Sequence, residues 1–240
     1  MKGRRIVTYL GSTAAATVLA VVVGTSPALA NFQQFFTPPG STAGGQPVSA
    51  EADFTTTAGQ IQIVLTNLEA NPRSIIQAIS DLFFSAGGLT TVGAGSFNAA
   101  GSYIDIAADR SVSAAGSNLF NWALTNSAGT YHLNKLCGPC GGPAGLIIGP
   151  GPYTNANASI AGNGPHNPFA NQTVTFTLAL AGVTASTLIS NVVFSFGTET
   201  GTNVAVPIPA AAWLFVSGLL GLIGIARRGQ GKANASLVTA

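Results

Sequence analysis

Charge is the scarcest commodity in this sequence of 240 residues: only 7% of them are Asp, Glu, Lys or Arg, against about 25% in an average soluble domain. That shortage excludes long solvated helices held by ion pairs. The nine basic residues are also dispersed: Lys2, Arg4 and Arg5 at the start, Arg73, Arg110 and Lys135 in the middle, Arg227, Arg228 and Lys232 at the end. All seven acids lie in the middle, which therefore carries a net charge of −4. No basic patch exists, so the electrostatic footprint of a nucleic-acid binder is missing and no nucleic-acid partner is expected. Cysteine occurs twice and histidine twice, too few for a multi-cysteine zinc module. No Ser/His/Asp arrangement, phosphate loop or nucleotide fingerprint is readable, and neither enzyme chemistry nor a cofactor is expected.

What the chain has instead is Gly (30), Pro (13), aliphatic residues, Ser, Thr and Asn. β-Branched residues suit a pleated surface and Gly suits turns, so short strands are favoured over long helices. Alternation of apolar and polar residues marks them. "QIQIVLTNL" puts Ile61, Ile63 and Leu65 on one face, and "YIDIA" alternates Ile104 and Ile106 with Asp105. In "TVTFTLAL", Val174, Phe176, Leu178 and Leu180 alternate with Thr173, Thr175, Thr177 and Ala179. In "NVVFSFG", Val192, Phe194 and Phe196 share a face, and "ISDLFFS" reads as a further strand. Asn71-Pro72 ahead of Ile75, Ile76 and Ile79 reads as a short helix start. The expected fold is mainly β: an antiparallel β-sandwich, jelly-roll-like, over residues 49–205. Residues 31–48, rich in Pro, Gly, Gln, Ser and Thr, are expected to be poorly ordered or peripheral.

Both ends read as addresses. A basic start, an apolar run from Ile6 to Val23 and "SPALA" form a secretory signal over residues 1–30. Small residues at Ala28 and Ala30 place signal-peptidase cleavage before Asn31. Near the other end, Ile208 to Ala226 is free of charge. At 1.5 Å per residue this run spans about 28 Å, close to a bilayer core, so a transmembrane helix is expected over 208–226. Arg227 and Arg228 follow as a cytoplasmic stop, and residues 229–240 form a short tail.

Pro-x-Pro followed by "AAAWLFVSGLLGLIGIARR" resembles the PEP-CTERM sorting signal of Gram-negative bacteria, over residues 206–228. That signal combines a proline motif, a membrane helix and a basic tail. Ile208 stands where the name-giving motif has Glu, as in the "PAAAWLF" subtype, and the tail is longer than usual. The resemblance implies an exosortase as processing partner, a membrane-embedded cysteine protease or transpeptidase acting at the proline motif. By position, Val206, Pro207 and Pro209 would be the recognition element and Arg227 and Arg228 the membrane stop. It further implies transient inner-membrane anchoring, then a cell-surface or extracellular-matrix location beside exopolysaccharide.

Within the middle, "CGPC" at Cys137 to Cys140 matches the redox quartet of thioredoxins, which would make a secreted thiol–disulfide oxidoreductase. Here "GGPAG" follows, a poor helix start, and no βαβ pattern surrounds it, so a disulfide stapling a turn is expected. A zinc site could draw only on His132, Cys137, Cys140 and His166. Glu51 with Asp53 and Asp105 with Asp109 are the carboxylate pairs open to calcium or glycosidase chemistry, with solvated strand and turn charges as the simpler reading. The functional expectation is an exported structural or interactive surface protein, with a carbohydrate-binding or adhesive module as the alternative.

Overall fold

The alternating residues of "TVTFTLAL" form the centre of the fold. In the computed structural model, which describes residues 30–87, 89, 97–116, 121–199 and 202–207, they lie in a strand flanked on both sides. Fourteen strands are present among these residues: β1 Asn31–Phe36, β2 Thr42–Ala43, β3 Gln46–Pro47, β4 Ala50–Thr57, β5 Gln60–Asn67, β6 Ile79–Ala86 and β7 Phe97–Ile106, then β8 Val112–Ala115, β9 Ala123–Ser127, β10 Thr130–Asn134, β11 Ile147–Ile148, β12 Phe169–Ala179, β13 Ile189–Phe196 and β14 Asn203–Ala205. The protein is mainly β, and its pairings are antiparallel apart from β11 against β12.

Two runs of pairing can be traced. One reads β1-β4-β5-β12-β7-β8 and the other β9-β10-β6-β13-β14. The two-residue β11 joins them, parallel to β12 at Ile147 and Ile148 and antiparallel to β6 at Ile79. A short hairpin, β2 with β3, stands apart.

Period-two patterning fixes which face is buried. Ile61, Ile63 and Leu65 are fully buried, as are Val174, Phe176, Leu178 and Leu180, while Thr173, Thr175 and Thr177 are half-buried on the opposite face. Ile104, Ile106, Val192, Phe194 and Phe196 are also buried. Aromatic rings connect the two runs. Phe54 of β4 meets Phe35 edge-on at 5.5 Å and Phe84 of β6 at 5.1 Å. Phe84 then stacks on Tyr131 of β10 at 5.1 Å, and Trp122 meets Phe176 edge-on at 5.1 Å. A second apolar cluster unites Ile104, Ile106, Ile148 and Phe169 with Tyr153 and Ile160 of the connection before β12.

Asn67 braces the strands at their junction. Fully buried, it donates Nδ2 to the carbonyls of Gln77 (2.8 Å) and Ile147 (2.9 Å), and its Oδ1 accepts from the Glu69 N–H at 3.0 Å. Three bonds in a dry environment satisfy most of an amide's capacity. Beside it, a Cβ at Gly149 would lie 1.9 Å from the Glu69 carbonyl oxygen, so only glycine fits this approach.

Two expectations are corrected. Residues 31–48 are not poorly ordered: β1 pairs with β4 along its whole length, from Asn31 opposite Thr56 to Phe36 opposite Glu51. Phe35 is buried against Phe54, and that contact fixes a segment whose composition reads as loop. The short helix does not start at Asn71-Pro72. Asn71 has φ 52°, and the only helical turn there is the 3₁₀ segment Ile75–Gln77. Gln77 Oε1 accepts from the N–H groups of Arg73 (2.6 Å) and Ser74 (3.1 Å), and Ser74 serves as its cap. Among the described residues no helix is long and apolar enough to cross a membrane. The expected signal segment up to residue 29 and the expected span 208–226 lie outside the described residues.

Candidate functional site

Of the residues assigned to sorting, Ala30 is exposed, Asn31 opens β1, and Val206 and Pro207 close the described chain. Ala28, Pro209, Arg227 and Arg228 lie outside the described residues. Val206 is tied to the fold. Its N–H bonds the Val192 carbonyl at 2.9 Å, directly after β14 has paired with β13, and its side chain packs on the main core beside that of Val204. The first residue of the proline motif is thus part of the domain rather than of a linker.

Cys137 and Cys140 form a disulfide, with Cα atoms 5.1 Å apart. Cys140 is buried and Cys137 partly so. Pro139 and Gly138 shape a 3₁₀ turn of three residues, Gly138–Cys140, which ends at Gly141 with φ 76°. No α-helix starts at Cys137, so there is no helix N-terminus of the kind that lowers a redox thiol's pKa. The loop rests on Lys135, which is 1% exposed and donates Nζ to the carbonyls of Cys140 (2.7 Å) and Gly142 (3.1 Å). Burial pushes this ammonium below the ordinary lysine value.

The other candidates from sequence stay apart. His166 Nδ1 bonds the Ser159 carbonyl and His132 bonds Asp81, so neither histidine joins the cysteines. No cluster of three or more metal-binding side chains occurs among the described residues. Asp109 accepts from the N–H and Oγ of Ser111 in a turn, which holds its carboxyl below the usual range, while Asp105 sits on β7. Asp53 does act on Glu51. They sit two apart on β4, and partial burial followed by the Asp53 charge raises the Glu51 pKa. Gln34 Nε2 on β1 donates to Glu51.

A site that the sequence reading did not name lies on the outward face of β10, β6, β13 and β14. Strand register sets Asn134 opposite Asp81, Asp81 opposite Ser195, and Ser195 opposite Asn203. Four strands therefore contribute one polar side chain each to a single cross-strand row. The residues beside them in sequence, Leu133, Leu82 and Phe194, point into the core, and alternation turns the row outward. At a strand spacing of ~4.8 Å the row is roughly 14 Å long. His132 and Phe83 form the next row, facing each other across β10 and β6 with rings stacked at 3.8 Å. Leu136 and Glu199 complete a cleft of about 220 Å³.

Asp81 organises this cleft. It is 9% exposed, accepts from Ser80 Oγ at 2.8 Å, and faces His132 Nε2 at 3.2 Å. Ser195 Oγ donates to Asn203 Oδ1, and Asn134 Oδ1 accepts from the Leu136 N–H at 2.7 Å. The amide Nδ2 donors of Asn134 and Asn203 and the exposed Glu199 carboxylate have no partner among the described residues. No family model, curated protein or solved structure matches the chain.

Proposed function

We propose that this is an exported bacterial surface protein, held transiently in the inner membrane and freed by an exosortase-type enzyme at Val206, Pro207 and Pro209. The observation that carries the reading is the C-terminal sequence itself: a proline motif, an uncharged run of bilayer length and two arginines. A β-rich domain whose last described strand ends at Ala205 suits such a cargo, because that strand closes just ahead of the motif. The Cys137–Cys140 pair suits an oxidising compartment.

In this reading the two runs of pairing are the layers of a β-sandwich. The ring contacts between β4 and β6 and the burial of alternate residues in both runs support it. The role outside the cell is structural or interactive, in or beside the exopolysaccharide layer. An interactive role draws support from the polar row, since a purely structural layer has no use for a preorganised cleft. A redox role for Cys137 draws none from the three-residue turn that follows it.

Cell fractionation tests the proposal. In cells with the processing enzyme the protein should leave the membrane fraction. In cells without it the protein should stay with the inner membrane. Identical fractionation in both strains contradicts it.

A further inference from the structure

We infer that the cross-strand row Asn134–Asp81–Ser195–Asn203 is a binding site for a neutral saccharide. The inference rests on the proposal above only in that an exported domain meets extracellular polymers.

The outward face of a sheet needs nothing more than solvated side chains. The first run of strands illustrates this: its outward residues include Gln62, Thr66, Thr173, Thr175 and Thr177. The face at β10, β6, β13 and β14 differs. Its cleft has a largely buried carboxylate, that of Asp81, in the wall. Bonds from Ser80 and His132 offset the hydration that Asp81 loses on partial burial. The row is therefore set before any ligand arrives, which lowers the ordering cost of binding.

Its chemistry selects the ligand. Amide donors from Asn134 and Asn203 stand at the two ends of the row and flank the acceptors of Asp81 and Ser195, and Glu199 adds an acceptor at the rim. Hydroxyl groups both donate and accept, so a polyol satisfies both kinds of group. The stacked His132–Phe83 pair and Leu136 supply apolar surface for the C–H face of a sugar ring. Among the described residues no lysine or arginine lines the cleft, and the two carboxylates repel an anion, which disfavours phosphate and uronic acids. A divalent cation alone lacks a ligand set, given that no cluster of three metal-binding groups occurs among the described residues. An apolar ligand would strip water from Asp81 and the amides without replacing their hydrogen bonds. At about 220 Å³ the cleft takes one or two sugar units rather than a long chain.

The test uses the full-length chain in a zwitterionic, sugar-free detergent. Saturation-transfer NMR and calorimetry are run with neutral di- to tetrasaccharides of glucose, galactose and mannose, and with galacturonate oligomers as the anionic counterpart. The expected result is a dissociation constant below about 10 mM for at least one neutral oligosaccharide. Weaker or absent binding is expected for galacturonate. Asn203→Ala and Asn134→Ala should each weaken binding roughly two- to tenfold, the usual worth of a hydrogen bond. Glu199→Gln, which removes one of the two carboxylate charges at the cleft, should relieve the exclusion of galacturonate. Thr175→Ala, on the other run, should have no effect. Thermal melts of each variant separate lost binding from lost fold. Absence of binding by every neutral sugar, tighter binding of galacturonate, or affinity unchanged in both folded asparagine variants overturns the inference. It fails independently of the sorting proposal, because binding is measured on purified chain and sorting on fractionated cells.

Discussion

Single side chains carry separable parts of the stability. Asn67 is the clearest case: Asn67→Ala would leave the Gln77 and Ile147 carbonyls without their donor in a dry junction. A loss of about 2–4 kcal/mol is expected, one desolvated carbonyl costing ~1–3 kcal/mol, and urea unfolding measures it. Glu51 is the opposite case. Its carboxyl is raised by burial and by Asp53, so the folded state binds protons more readily than the unfolded chain, and the group costs stability once both states are ionised. Glu51→Gln is therefore expected to be more stable than the native chain at pH 7, with the gap closing as pH falls below the usual carboxylate range. Equal stability at pH 7 contradicts this. Burial also raises Tyr103 and Tyr131 and pushes Tyr153 up to about 12. Their stabilisation is present below the unfolded tyrosine value of ~10 and is lost as pH rises above it. Lys135 has the reverse sign: its lowered pKa means the unfolded chain binds the extra proton, so stability relative to Lys135→Met should rise as pH climbs towards ~10.4. Melts from pH 7 to 11 check both trends.

Elements were legible where one strand's own pattern decides its burial. Ile61, Ile63 and Leu65, or Val174 through Leu180, needed no partner to be read, because alternation is local and the buried face follows from it. β1 was not legible: "NFQQFF" owes its order to β4, 15 or more residues away. The β9–β10 hairpin escaped for a similar reason. Its turn, Ala128 at φ 50° and Gly129 at φ 85°, reads as an ordinary small-residue pair. The polar row is harder still, since Asn134, Asp81, Ser195 and Asn203 are scattered over 122 positions and only strand register aligns them. The cysteine turn was legible from its spacing. Cys137→Ser with Cys140→Ser should cost only ~1–2 kcal/mol, because so short a loop restricts the unfolded chain little. At β14 the consequence concerns sorting. Val204→Pro removes an interior donor of an edge strand pairing across to Phe194 and should loosen Val206 from Val192. If docking of Val206 restrains access to the motif, pulse-chase labelling should show faster processing of this variant. Slower or unchanged processing shows that the edge strand places no restraint on the enzyme.

At the scale of the whole molecule, the sorting proposal puts the motif directly after the last described strand. β14 and the docked Val206 lie directly ahead of the uncharged run in sequence, so on the sorting proposal the domain would sit close to the outer membrane face. Arg227 and Arg228 would remain in the cytoplasm, since moving guanidinium through hydrocarbon is costly. Cutting at the proline motif would then free a domain of net charge −4, soluble by its own repulsion and unsuited to anionic ligands. A permanent single-pass anchor would keep the same domain at the membrane with its C-terminus intact. Intact-mass measurement of the protein taken from the cell surface, in strains with and without the processing enzyme, separates these two states directly. The expected mass in the strain with the enzyme corresponds to a chain that starts at Asn31, ends within Val206 to Pro209, and contains the Cys137–Cys140 bond. A surface protein in that strain that still carries Trp213, Arg227 and Arg228 would contradict transient anchoring.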